Sequence, residues 1–370
     1  MTYSFFSGFS RRAWTCAALL GCCLPFTLSA QEIPVLAPPG TDLPHVRLVS
    51  LLGTISGTAE DRMNLTNYGD PRVSADDWVS ALPELHHYAR VSTEDLRAPE
   101  GRGMTEAHWM TIARRLQEIA EDDSIDGVVF SHGTNTMSET AYFLNLVVSI
   151  EKPVVFVGAQ RPWTGISGDG PLNMVNAVRV AATPEAAGLG ILHATNQNIH
   201  PARDVHKSSA YRVNTFQSID LGAIGVADPD IVRIYTAPAR LHTHKSIFNI
   251  GSIPEELPAV EVLYGYTGTP GYLVDTLVEH GVKGIIIDGT GAGSIPRDMH
   301  EAIERAQENG IVVVATARTR AGRVQDTDRR REAKIVPGDN LPPEKARILL
   351  QLALTQTTSV DRISEFFVQY

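Results

Sequence analysis

Two short segments, Gly53-Thr54-Ile55-Ser56-Gly57 and His132-Gly133-Thr134-Asn135-Thr136, constrain this chain most. Each follows an apolar stretch that reads as a buried strand, 46–52 before the first and 127–130 before the second. Strands covered on both faces show such unbroken apolar runs, whereas half-exposed strands alternate. Each segment therefore sets a threonine hydroxyl just past a strand end, flanked by glycines that let the backbone turn tightly. In open α/β sheets that rim is where ligands bind. Two such hydroxyls point to nucleophilic chemistry on a carbonyl rather than to a plain binding surface.

The rest of the chain keeps the same rhythm. Strand patterns at 46–52, 127–131, 154–157 and 189–193 alternate with helical patterns at 76–82, 105–121, 137–149 and 172–182, which predicts an α/β fold with a mostly parallel sheet. Thr136 and Glu139 form a Thr-x-x-Glu sequence ahead of Ala141, Leu144 and Val147, the mark of a capping box. Pro238, Pro254 and Pro258 interrupt the periodicity, so 238–258 reads as a linker between a domain at 45–237 and one at 259–370. Beyond it come strands at 260–264, 284–287 and 311–315 and helices at 272–280, 299–309, 344–356 and 361–368. The turn Gly289-Thr290-Gly291-Ala292-Gly293 raises nucleotide binding, but no acidic residue is convincingly placed to hold a ribose.

Residues 1–30 differ in kind. Arg11 and Arg12 precede an apolar run from 13 to 28 that ends in Leu28-Ser29-Ala30, which reads as a secretory signal peptide and an exported, periplasmic protein. Leu19-Leu20-Gly21-Cys22 offers lipoprotein processing as the alternative. Proline-rich residues 31–44 read as a flexible leader. Cys16, Cys22 and Cys23, the three cysteines of the chain, all fall inside the signal segment, so the processed protein has no thiol for a disulfide, metal site or nucleophile. Losing Arg11 and Arg12 with that segment, which holds no acidic residue, takes the net charge from −10 to −12. Such a chain is a poor partner for nucleic acid or anionic lipid. No second long apolar run offers a membrane span.

A threonine hydroxyl has too high a pKa to attack an amide unaided and needs a neighbouring base and an electrophilic cradle for the oxyanion. The residues around both threonines closely resemble those of the bacterial-type L-asparaginases and glutaminase-asparaginases. Leu52-Gly53-Thr54-Ile55-Ser56-Gly57 is similar to that family's first threonine motif, and the run from His132 to Leu144 to its second. Asn67-Tyr68, Val157-Gly158-Ala159-Gln160-Arg161-Pro162, Asp169-Gly170-Pro171-Leu172-Asn173, Arg203-Asp204-Val205-His206-Lys207 and the stretch from Lys345 to Leu354 match in order. The resemblance implies a larger flavodoxin-like N-terminal domain with a parallel sheet and a smaller α/β C-terminal domain. It also implies tetramers of intimate dimers and hydrolysis of a side-chain amide through an acyl-threonine, without metal or cofactor. On it Thr54 matches the nucleophile, Tyr68 the tyrosine that assists it, Thr134 the second catalytic threonine and Lys207 the lysine that activates it. Ala159 matches a residue whose backbone carbonyl contacts the substrate amide.

Several positions depart from the family pattern. Asn135 stands where an aspartate normally pairs with the substrate ammonium. Losing a hydrogen bond to a charged group removes roughly 1.5–3 kcal/mol, a factor of about 10 to 100 in affinity for an amino acid. Gly101 and Arg102 stand near the usual serine and acid or amide that contact the substrate head group. Gly268 lies near the place of a supporting asparagine, and Asp328 near that of an acidic residue reaching the ammonium. The resemblance thus implies intact amide-cleaving machinery with reduced recognition of an α-ammonium. The expected substrate is L-asparagine, with a related carboxamide lacking that ammonium as the alternative. A binding protein that kept the fold without catalysis is the contrasting class, against which the retention of Thr54, Tyr68, Thr134 and Lys207 argues.

Overall fold

The structure is a computed structural model that describes residues 42–51, 53–96 and 103–370. The expected signal peptide, the expected leader up to residue 41, and Gly101 and Arg102 lie outside the described residues.

The first part of the chain runs β1 (His45–Ser50), α1 (Ala75–Ala81), β2 (Arg90–Asp95), α2 (Glu106–Ala120), β3 (Gly127–Ser131), α3 (Met137–Val147), β4 (Val154–Val157), α4 (Gly170–Ala181) and β5 (Ile191–Thr195). Short strands follow: β6 (Asn198–Pro201), β7 (His206–Lys207), β8 (Phe216–Gln217), β9 (Gly225–Ala227) and β10 (Val232–Ile234). The remainder is β11 (Val260–Tyr264), α5 (Tyr272–Glu279), β12 (Gly284–Gly289), α6 (His300–Glu308), β13 (Val312–Ala317), α7 (Asp328–Glu332), β14 (Ile335–Pro337), α8 (Pro343–Leu354) and α9 (Val360–Gln369).

Among the described residues the large sheet has the order β10-β9-β6-β5-β4-β3-β1-β2. Its strands β5, β4, β3, β1 and β2 are parallel neighbours, while β6, β9 and β10 extend it antiparallel. The parallel part has the flavodoxin-like order 2-1-3-4-5, whose switch point is the crevice between β1 and β3. A second, smaller sheet, β11-β12-β13-β14, is parallel throughout. The expected fold class is borne out. In register, Ser50 lies opposite Ser131 and Ser131 opposite Val157, so β1, β3 and β4 end in one row and their following loops share a rim.

Each helix has a local reason. A reciprocal cap between Thr105 and His108 opens α2, whose buried stripe is Trp109, Met110, Ile112, Ala113, Leu116 and Ile119. Helix α3 is buried at every residue but Glu139, because the sheet and α2 cover one side and α8 the other. One apolar cluster accordingly runs from Val49 and Phe130 through α3 and α8 into Ile286 and Val314 of the smaller sheet. The other face of the large sheet is closed by α1 and α4 around Trp78, Val155 and Met174.

One reading needs correction. Thr136 does cap α3, but without a side-chain bond: its carbonyl accepts from Glu139 and Thr140 N–H, and the capping box is absent. Glu139 instead lies partly buried, and burial, with Glu344 nearby, raises its carboxyl pKa. The proline-rich stretch 238–258, read as a linker, holds local structure of its own. Thr243–Lys245 forms a 3-10 turn, Phe248, Ile250 and Ile253 are buried, and Ile250 N–H bonds Val147 O at 2.8 Å.

Candidate active site

The two glycine–threonine segments meet at the switch point. Gly53 has φ +119°, and a Cβ there would stand 2.5 Å from Cα and N of Gly133, so the two backbones touch only because Gly53 lacks a side chain. Thr54–Ser56 then forms a 3-10 turn closed by Ser56 N–H to Gly53 O (3.1 Å) and Gly57 N–H to Thr54 O (3.0 Å). The following loop folds back on itself through paired bonds between Thr58 and Gly69 (3.2 and 3.0 Å). That return lays the Tyr68 ring on Gly57, where a Cβ would lie 2.5 Å from its Cδ2. The Tyr68 hydroxyl ends 2.6 Å from Thr54 Oγ1. The loop after β4 braces this arrangement: Trp163 N–H bonds Gly57 O at 2.8 Å, and Ala59 and Thr164 exchange bonds of 2.9 and 3.0 Å.

Thr134 is buried beyond the end of β3. Lys207, at the end of β7, donates to Thr134 Oγ1 at 2.9 Å and to Asn135 Oδ1 at 3.4 Å. Burial holds the Lys207 amine below its ordinary pKa, since desolvation disfavours the charged form. Gly158 backs Thr134 closely: a Cβ there would meet His132 O and Thr134 Cγ2 at 3.0 Å. Ala159 next to it is buried. Its neighbours are fixed by Asp169, which accepts Gln160 N–H (2.9 Å) and Arg161 N–H (3.0 Å), and by Asn173, which donates to Gly158 O (3.0 Å). These two supporting residues were missed in sequence as individual roles; their i, i+4 spacing on one helix start is the signal that could have found them.

His132 is not a base here. Gly133 O can only accept, so the 2.7 Å contact places a proton on His132 Nδ1 and leaves Nε2 to accept from Thr140 Oγ1 at 3.0 Å. Thr140 in turn accepts the Trp109 indole N–H at 2.9 Å. Burial lowers the imidazole pKa to about 4, so the ring is neutral and serves to pin the segment.

A cavity of about 500 Å³ opens beside Lys207 and Asn135, walled on its far side by Arg320 and Glu344. Thr54 and Tyr68 do not line it. Among the described residues the structure thus brings together Thr54 with Tyr68, and Thr134 with Lys207 and Asn135. It does not bring Asp328 to them. That residue opens α7, is exposed, and pairs with Arg331 of its own helix. Gly268 has φ +78° with open space where a Cβ would be; asparagine is among the few other residues that enter this left-handed region readily.

Comparison with known proteins fits this geometry. The family model described as "Asparaginase, N-terminal" matches residues 45–240, and that described as "Glutaminase/Asparaginase C-terminal domain" matches 259–367. The chain is 37% identical to L-asparaginase 2 of Bacillus subtilis, covering 89% of this chain and 87% of that protein. It is 33% identical to a glutaminase-asparaginase of Pseudomonas fluorescens, covering 94% and 95%. The crystal structure of a probable cytoplasmic L-asparaginase from Campylobacter jejuni superposes with a TM-score of 0.81 at 36% identity, covering 88% of this chain and all of that one. Sequence similarity on both sides of residues 241–258, carried on a fold whose threonine segments meet at the β1/β3 crevice, makes this chain a member of the asparaginase family.

Proposed function

We propose that this chain is an amidohydrolase that cleaves a side-chain carboxamide, L-asparagine first among them, through an ester on Thr54. The observation that carries the reading is that each threonine hydroxyl has a proton-transfer partner in reach, Tyr68 at 2.6 Å and Lys207 at 2.9 Å. Thr54 Oγ1 attacks the amide carbon while its proton passes to the Tyr68 oxygen and the Tyr68 proton passes on to the leaving nitrogen, which departs as ammonia. Water then adds to the acyl ester. Thr134, with Lys207 in its neutral form, takes the proton of that water and returns one to Thr54 as the carboxylate leaves. Ala159 O orients the substrate amide, and the head group falls to Asn135 and to the segment of Gly101 and Arg102.

Asn135 favours a second reading of specificity. Its amide presents no negative charge where an amino-acid ammonium would sit, so the same chemistry on a carboxamide without that ammonium competes with L-asparagine. Export through the signal peptide at 1–30, a periplasmic location and a homotetramer belong to the same proposal, as does the division into domains at 45–237 and 259–370. A relative from Haemophilus influenzae, 37% identical over 89% of this chain and 94% of its own length, is named a probable periplasmic L-asparaginase, which supports the location. Among the described residues no helix is long and apolar enough to cross a membrane.

The experiment is ammonia release by residues 31–370 from L-asparagine, L-glutamine and acid carboxamides without an amino group, with Thr54→Ala as control. Release that depends on Thr54 is the expected result, and the ranking of substrates decides between the two specificities. No Thr54-dependent release from any of them would sink the proposal.

A further inference from the structure

Lys345, on α8, is fully buried. An ammonium in such a place is costly unless all its N–H groups are used. All three are: Nζ donates to Ala202 O at 2.7 Å, to Arg203 O at 2.9 Å and to Val205 O. These carbonyls belong to the tight turn after β6, in which Asp204 and Val205 N–H both bond Pro201 O (3.1 and 3.2 Å). Two residues past that turn comes Lys207. The Tyr142 ring of α3 caps the ammonium at 5.7 Å. Arg203 ties the same turn outward, through Nε to Tyr370 O (2.6 Å) and Nη1 to Asp204 and Asn340 (both 2.8 Å). The short strand that carries Lys207 has only a two-residue partner, β8, so it has little rigidity of its own.

We infer that Lys345 is a positioning residue for Lys207: by holding the three carbonyls of 202–205, it sets where the Lys207 amine meets Thr134 Oγ1. The inference rests on the amidohydrolase reading, which gives the Lys207–Thr134 contact its importance. It makes α8, an element of the smaller sheet's layer, part of the support for a base on the two-stranded β7-β8 ribbon that meets Thr134 beyond the end of β3. Lys345 is faced by Glu344 of its own helix, Glu139 of α3, Arg203 and Asp204 of the turn, His193 of β5 and His206 of β7. Its burial lowers its pKa to about 7.

The test follows ammonia release against pH for the wild type, Lys345→Met, Lys345→Gln and Lys207→Met, at a temperature where circular dichroism shows each chain folded. The expected result is a kcat for Lys345→Met lower by about 10- to 100-fold, the usual effect of a misplaced catalytic group. KM stays within about threefold, the pH profile moves, and Lys345→Gln, which keeps two donors, recovers part of the loss. A folded Lys345→Met with wild-type kcat and pH profile overturns the inference. So does failure of both Lys345 variants to fold, because the residue would then support the whole fold rather than one contact. A wild type whose ammonia release survives Lys207→Met removes the underlying reading, and the inference with it.

Discussion

Thr54 and Thr134 are ordinary alcohols, and what separates them from other threonines of the chain is the atom beside each oxygen. The proposed use of Lys207 has a pH consequence. A base works when neutral, and burial holds this amine below its ordinary value of 10.5. Turnover should therefore rise with pH and level off, with a midpoint below 10.5. Asn135→Asp puts a carboxylate within reach of the same amine, which favours its charged form. The midpoint should move to higher pH, as a pH series of kcat/KM would record; an unmoved midpoint would deny Lys207 the role. Gly53 is a position in the site where an added methyl does harm. Gly53→Ala forces a strained positive φ and sets Cβ 2.5 Å from the Gly133 backbone. A stability loss of about 2 kcal/mol or more is expected in urea titration, with turnover falling as the two segments separate.

At the scale of elements, α2 and α3 are joined to the site by one buried chain of hydrogen bonds, from the Trp109 indole N–H through the Thr140 hydroxyl and the His132 ring to Gly133 O, which accepts. Thr140→Val removes its middle member and strands the Trp109 N–H and His132 Nε2. Each stranded group costs about 1–3 kcal/mol, which denaturant unfolding should reveal, and a variant as stable as wild type would show that water replaces the hydroxyl without loss. Elements buried on both faces were the legible ones. The central strands β3 and β4 begin and end where their apolar runs do, because a strand covered by helices on both sides must be apolar throughout. By contrast β2, at the sheet edge, reads Arg-Val-Ser-Thr-Glu-Asp and is half-exposed along its length, so no apolar run announces it. The antiparallel strands β6, β9 and β10 are three or four residues long and escape periodicity altogether. The pairing of Thr134 with Lys207 spans 73 residues of sequence, and only family resemblance, not local pattern, could bring those two together. At Thr136 the expected capping box is absent, and Glu139 lies near Glu344 of α8 instead.

Over the whole molecule, burial sets the response to acid. His132, His200 and His242 have pKa values lowered to about 4, and His193 is lowered well below its ordinary value, in each case chiefly by desolvation. Their folded pKa values lie below the unfolded value of 6.5, so between pH 6.5 and about 4 the unfolded chain binds more protons. Stability must then fall as pH falls through that window, by on the order of 1.4 kcal/mol per histidine per pH unit. Urea midpoints measured from pH 7 to 4.5 should drop steeply, and a flat profile would contradict the neutral state assigned to His132. The shared core from β1 through α3 and α8 to β12 and β13 makes this loss cooperative, site and scaffold together. The central claim, however, is a covalent bond on one oxygen. The direct measurement is mass spectrometry of the protein quenched in acid during turnover of a slow carboxamide substrate. A mass increase equal to the acyl group, localised to the peptide bearing Thr54 and absent in Thr54→Ala, is the predicted result. Ammonia release with no adduct on Thr54, or with the adduct on Thr134, would contradict it.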